Sequence, residues 1–245
     1  MSECPYCNDT GWIVDEDNNA TPCRCYKKRM LNSRIKFANI PEAFKDIRLS
    51  SFSLSYYKNK ESINEIVDAI KYYINNLDEM KNEGIGLYFW SENKGSGKTR
   101  MATSLANEFI YEHEMSVKFA TSLDILNEIK RTWNDSDDYT ESKLLDYLTT
   151  VEVLVIDDFG TEVHKDWIDD KFYQIINRRY ISKLITLFTS NYSLDDLNYD
   201  DRITNRIKER VYQIHFPEES IREGIAAARQ AKMMKEIGAN GNKGT

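Results

Sequence analysis

From about residue 62 onward, apolar positions along the chain follow two spacings in turn. Stretches with apolar residues three and four apart, such as INEIVDAIKYYINNL at 63–77 and LDILNEIKRTW at 123–133, predict helices with one buried face. Between such stretches lie short runs that are almost wholly apolar: IGLYFW at 85–90, VKFA at 117–120, VLVI at 153–156 and LITLF at 184–188. Runs of that kind predict parallel strands buried on both faces. Further helices are expected from near Gly97, around Leu144, Leu145 and Leu148, over 166–180 and around 202–210. A last strand is expected at 211–216, then a helical tail from 218 to about 237. Asn134 to Asp138 reads as a polar, acidic loop. Strands alternating with helices imply an α/β fold, a parallel sheet with helices on both faces. The chain shows no internal repeat.

The first 50 residues read differently. Residues 26–38 are basic and helical in pattern, Pro41 breaks the chain, and ANIPEAFKDIRLSSF reads as an extended connector. Ahead of them, Trp12, Ile13 and Val14 read as a strand and DEDNN as its turn. The organisation expected is residues 1–50 as a small N-terminal unit with its linker, and 51–245 as the main domain.

Two segments carry chemistry. WSENKGSGKT, 90–99, joins a buried strand to a helix through a glycine-rich turn. Backbone amides from Asn93, Lys94, Gly95, Ser96 and Gly97 would point at phosphate oxygens, aided by the positive end of the helix that follows. Lys98 would reach the β- and γ-phosphates, the Thr99 hydroxyl would ligate Mg²⁺, and Arg100 adjoins them. The usual loop begins with glycine, but this one has Glu92, whose carboxylate must point away from a triphosphate. Some sixty residues on, VEVLVIDDFG at 151–160 is an apolar strand ending in two acids. Asp157 at the strand's carboxyl end is placed to hold Mg²⁺. Asp158 is the candidate base that orients an attacking water.

Asn191, ending the strand of 184–188 and its TSN, can sit between a γ-phosphate and the water. In DRITNRIKER, Arg202 and Arg206 are four apart and share a helix face. Such an arginine either projects into a neighbouring subunit's site or belongs to a solvated basic face.

Composition narrows the class. The chain has 245 residues, 30% charged and 41% hydrophobic, with a net charge of −7. No apolar run approaches a membrane span, and MSECPYCNDT has neither a basic start nor an apolar core. A cytoplasmic protein is the expectation. The net charge argues against bulk electrostatic attachment to nucleic acid, although Lys27, Lys28, Arg29, Arg34 and Lys36 form one basic segment. All four cysteines, Cys4, Cys7, Cys23 and Cys25, lie in the first 25 residues. Two close pairs across a short hairpin fit four thiolates around one structural Zn²⁺ better than two disulfides in a cytoplasmic protein.

The order of these motifs resembles the DnaC/DnaI-type replicative helicase loaders, AAA+ ATPases related to the initiator DnaA and the transposition ATPase IstB. The cysteine cluster is similar to that of DnaI-like and phage-encoded loaders, ANIPEAFKDIRLSSF resembles the family linker, and VLVIDDFGTE resembles its acidic strand. The resemblance implies an AAA+ phosphate-loop domain with a reduced lid, and Asn191 as the sensor on the strand beside the acids. It makes Arg206 of RITNR the finger acting in trans, and Arg222 of SIR a second nucleotide sensor. It implies a slow ATPase, stimulated by DNA or assembly. The implied partners are a DnaB-type hexameric helicase, single-stranded DNA and further copies of the chain in a spiral or ring. Two other readings stay open: an IstB-like transposition ATPase, and a scaffold that uses ATP as a switch without hydrolysing it.

Overall fold

The computed structural model describes residues 4–133, 141–163 and 165–241; the acidic loop expected at 134–138 lies outside them. The chain opens with an antiparallel hairpin, β1 (Trp12–Val14) and β2 (Ala20–Pro22). Its turn is built on Asp15, whose carboxylate accepts the amides of Asp17 and Asn19 at 3.0 and 2.8 Å. Helix α1 (Tyr26–Ala38) follows, then a connector with short 3-10 turns at Glu42–Phe44 and Leu49–Ser51.

Helix α2 (Lys60–Asn75) starts three residues earlier than the apolar spacing indicates, because the Asn59 side chain accepts the Ser62 amide. The chain breaks after Asn75, inside the helix expected over 63–77, and a separate α3 (Leu77–Glu83) follows. Then come β3 (Gly86–Trp90), α4 (Lys98–Tyr111), β4 (Val117–Thr121), α5 (Ser122–Thr132), α6 (Glu141–Thr150) and β5 (Val153–Asp157). The remainder is α7 (Asp166–Ile181), β6 (Ile185–Ser190), α8 (Asp201–Glu209), β7 (Val211–His215) and α9 (Ile221–Gly241).

The five later strands form one parallel sheet in the order β4-β5-β6-β3-β7. Chain order is therefore broken at β3, which sits between β6 and β7. Alternation along β5 sends Val153 and Val155 into the core under α2 and α4. Leu154 and Ile156 enter the core under α5, α6, α7 and α8. With both faces covered, β5 is apolar at consecutive positions, which is why its sequence shows no period of two.

Two side chains tie distant parts together. Arg179 is 1% exposed and surrounded by carbonyls: its guanidinium donates to Leu148 O, Val151 O and Ile185 O, and to the Thr186 hydroxyl, at 2.6–2.9 Å. It closes the carbonyl end of α6 onto the starts of β5 and β6, and burial pushes its charge down to about 9. Asn107 on α4 donates to the Phe44 and Ile47 carbonyls, fixing the connector. Helix α1 lies against β4 and α4, and Ala38, Ile40 and Tyr57 join the core under α4. After β7 only α9 remains, with no larger helical lid among the described residues, and no helix in the described structure is long and apolar enough to cross a membrane.

Candidate functional site

The sheet order brings the carboxyl ends of β3, β6 and β5 side by side, where ligands of open α/β sheets bind. β3 runs into residues 91–97 and these into α4. Gly95 and Gly97 have φ of 87° and 104°, in the region that favours glycine. A Cβ on Gly97 would also lie 2.4 Å from the Tyr57 hydroxyl, which donates to Ser96 O at 2.7 Å. The Glu92 side chain is exposed. Lys98 is buried and its ammonium donates to Ser91 O, Asn93 O and the Ser96 hydroxyl at 3.0–3.2 Å. Burial pushes its charge down to about 8, against the opposing pull of Glu218, Asp158 and Asp157.

The acidic strand faces this loop. Asp157 Oδ1 accepts the Thr99 hydroxyl at 2.8 Å and the Thr189 hydroxyl at 2.6 Å. Burial raises its carboxyl above the usual range, although both hydroxyls oppose the shift. Thr99 and Asp157 thus converge as two hard oxygen donors, the set that Mg²⁺ takes. Asp158 has φ 54° and an exposed side chain, with its amide on the Thr189 hydroxyl at 3.0 Å. Ser122 of α5 donates at 2.8 Å to Glu162, whose carboxyl burial raises.

Asn191 stands just beyond β6, next in the chain to Ser190, whose hydroxyl donates to Phe159 O. The side chain that reaches the acid is Thr189, two residues earlier, so the hydroxyl of TSN rather than its amide touches Asp157 here. Arg222 lies against the loop: a Cβ on Gly95 would meet its Cδ at 3.2 Å. Asn93, Lys94 and Arg100 all stand on the loop or the first turn of α4. Arg206 is brought elsewhere. It donates to Asn177 Oδ1 at 2.8 Å and Arg202 O at 2.7 Å, and lies over the Tyr173 ring on α7. Arg202 pairs with Asp200. Thr189, Tyr57 and Glu218 were not singled out by sequence reasoning. Only Thr189 left a trace, as a neighbour of Asn191 in TSN.

The second site is the hairpin. The four cysteine sulphurs lie within 4.8 Å of one another, with Cys4–Cys23 at 3.8 Å and Cys7–Cys25 at 3.4 Å. Four thiolates at ~2.3 Å from one zinc stand about 3.8 Å apart, so the cluster fits a tetrahedral ion. Against burial, the Gly11 amide and the neighbouring sulphurs bring the Cys7 thiol down to about 7, while burial and those neighbours push Cys25 up to about 12. Cys4 and Cys7 precede β1 and Cys23 and Cys25 follow β2, so the Trp12–Pro22 pairing brings both pairs to the same open end of the ribbon.

A family model described as IstB-like ATP binding protein matches residues 27–222. The replicative helicase loader DnaC of Buchnera aphidicola subsp. Baizongia pistaciae is 29% identical over 156 residues, 63% of this chain and 61% of that protein. The replicative helicase loader DnaI of Bacillus subtilis is 33% identical over 118 residues, 48% of this chain and 36% of that protein. The chain therefore spans less than two thirds of these curated relatives. A crystal structure of the DnaC helicase loader is similar at TM-score 0.61 and 25% identity, over 72% of this chain and 99% of that one. The five-stranded parallel sheet with its flanking helices is accordingly an AAA+-like fold.

Proposed function

The chain belongs to the IstB-like ATP-binding family, and we propose on that premise that it is an ATP-dependent loader of a DnaB-type replicative helicase. The observation that carries the reading is the meeting of Thr99, Asp157 and Thr189 beside the phosphate loop. That arrangement suits a nucleotide with its metal. The relatives named above supply the helicase.

Amides of residues 94–99, Lys98 and Arg222 would hold the phosphates, with Arg100 beside them, while the amide of Asn93, expected to join them, is taken up by Glu218. Mg²⁺, held by Thr99 and Asp157, would neutralise charge on the β- and γ-oxygens. Asp158 orients the attacking water, and Asn191 adjoins it. Asp158 is exposed, so it is free to turn toward a water in front of the γ-phosphate. Arg206 serves a neighbouring copy, and it can do so only by leaving Asn177 and Tyr173. Turnover is thereby coupled to assembly into a spiral or ring on helicase and single-stranded DNA. One structural Zn²⁺ on Cys4, Cys7, Cys23 and Cys25 would fold the hairpin within the N-terminal unit of residues 1–50, the part that meets the helicase.

The test uses the full zinc-loaded chain with a purified hexameric DnaB-type helicase and single-stranded DNA. Immobilised chain should capture the helicase, and the two together should raise ATP turnover by 10-fold or more, the scale of a finger entering a site. Mixing Arg206→Ala with Lys98→Ala protein should restore part of the rate that each lacks alone. Turnover without helicase capture would favour the transposition ATPase. Capture with ATP binding but no turnover would favour the switch scaffold.

A further inference from the structure

The segment between β7 and α9 runs along the phosphate loop and is tied to it at successive points. The Phe216 amide donates to Trp90 O at 2.8 Å, where the loop begins. The Glu218 carboxylate accepts the Glu92 amide at 3.0 Å through one oxygen and the Asn93 amide at 2.7 Å through the other. The Ile221 amide donates to Gly95 O at 3.0 Å. His215, stacked on Trp90 with ring centroids 4.0 Å apart, makes a further contact to Glu218 at 2.7 Å. The next residue, Glu219, is turned the other way and accepts the Lys58 and Asn59 amides of the connector.

Position 92 is where the loop pattern carries glycine, which bends freely at the strand-to-loop corner. Glu92 is not among the residues with positive φ, so the corner asks for no conformation that only glycine adopts. What remains to be set is the direction of its amides. A carboxylate taking one amide on each oxygen is a bidentate brace, stronger and more directional than neutral hydrogen bonds. The same charge is the largest of those opposing the effect of burial on Lys98.

We propose that Glu218 is the positioning residue of the phosphate loop, fixing the corner at Glu92 and Asn93 that a glycine shapes in the usual loop. The inference rests on the nucleotide-site reading above and adds to it a residue 126 positions away from the corner it shapes. Glu218 acts through the loop, by setting the direction of the Glu92 and Asn93 amides.

The experiment titrates a fluorescent ATP analogue into full-length, zinc-loaded protein, with melting temperature measured alongside. Glu218→Gln has one acceptor oxygen and presents an amide N–H₂ to the other donor. It should weaken nucleotide binding roughly 10-fold, the scale of a lost charge-assisted hydrogen bond, with a small change in melting temperature. Glu219→Gln, which alters the same turn but not the loop, should bind as the wild type. Adding Glu92→Gly to Glu218→Gln should leave affinity as low or lower, because glycine at a corner without positive φ only loosens it. Wild-type affinity in Glu218→Gln, or a double variant that regains wild-type affinity, would overturn the proposal. If Glu218→Gln does not fold, Glu218→Asp is read by the same two criteria. Lys98→Ala separates the two layers: undiminished binding there sinks the nucleotide site itself, whereas lost binding there with intact binding in Glu218→Gln sinks only the brace.

Discussion

The hairpin of residues 4–25 and the five-stranded sheet solve the same problem in opposite ways. In the sheet, β5 is buried at all five positions and the helices on each side supply its core. In the hairpin all six strand residues are exposed, Trp12 and Val14 by 42% and 60%, and among residues 4–25 only Cys7, Gly11 and Cys23 are buried. The sheet is held by area removed from water. The hairpin has little such area, and in its place four clustered sulphurs that could hold an ion. One chain thus carries one region with a core of its own and one with a candidate ion site instead.

That contrast can be broken at several strengths. The largest effect should follow removal of the metal. A strong chelator, or Cys7→Ser, should abolish the structure of residues 4–25, since structural zinc supplies about 10–16 kcal/mol to units of this size. The sheet should stay folded, and amide hydrogen exchange resolved by segment would show both. Exchange of β1 and β2 indifferent to chelator would mean that the hairpin needs no ion. The next effect should come from the sheet. Arg179→Ala leaves several buried carbonyls without donors, at about 1–3 kcal/mol for each group left unsatisfied, and should lower the melting temperature by roughly 10 °C. The hairpin's metal stoichiometry should not change. A melting point within a degree or two of the wild type would show that water replaces the guanidinium. The smallest effect should be at the seam. Arg29→Ala removes the Arg29–Asp9 pair at 2.7 Å, both partners about two-fifths exposed, which joins α1 to the hairpin. Exposed pairs contribute about 0–1 kcal/mol, so zinc affinity and melting should hardly move. A large loss of zinc would mean that α1 is part of the hairpin's fold.

How much of this was legible in the chain follows the same division. Buried strands, the glycine-rich turn and the paired acids at 157–158 are local patterns, and each element appears within a few residues of its expected place. The hairpin was legible because cysteine spacing is itself a geometric statement. The order of strands was not, since no local spacing says that β3 lies between β6 and β7. Nor was Tyr57 on Ser96, or Glu218 on the amides of 92 and 93, because those contacts join residues 39 and more than 120 positions apart. Spacing put Arg202 and Arg206 on one helix face and the resemblance singled out Arg206, and neither could show that Asn177 and Tyr173 hold it. The break between α2 and α3 was missed because the apolar spacing runs on through it, from Tyr73 and Ile74 to Leu77 and Met80.

Asp158 has a further consequence through its backbone. Its φ of 54° lies in a region that costs a side-chain-bearing residue roughly 1–2 kcal/mol. Glycine would remove that strain and the carboxylate together. Under the role proposed for that carboxylate, a selection for heat resistance alone would drift toward Asp158→Gly and return a more robust protein with less turnover.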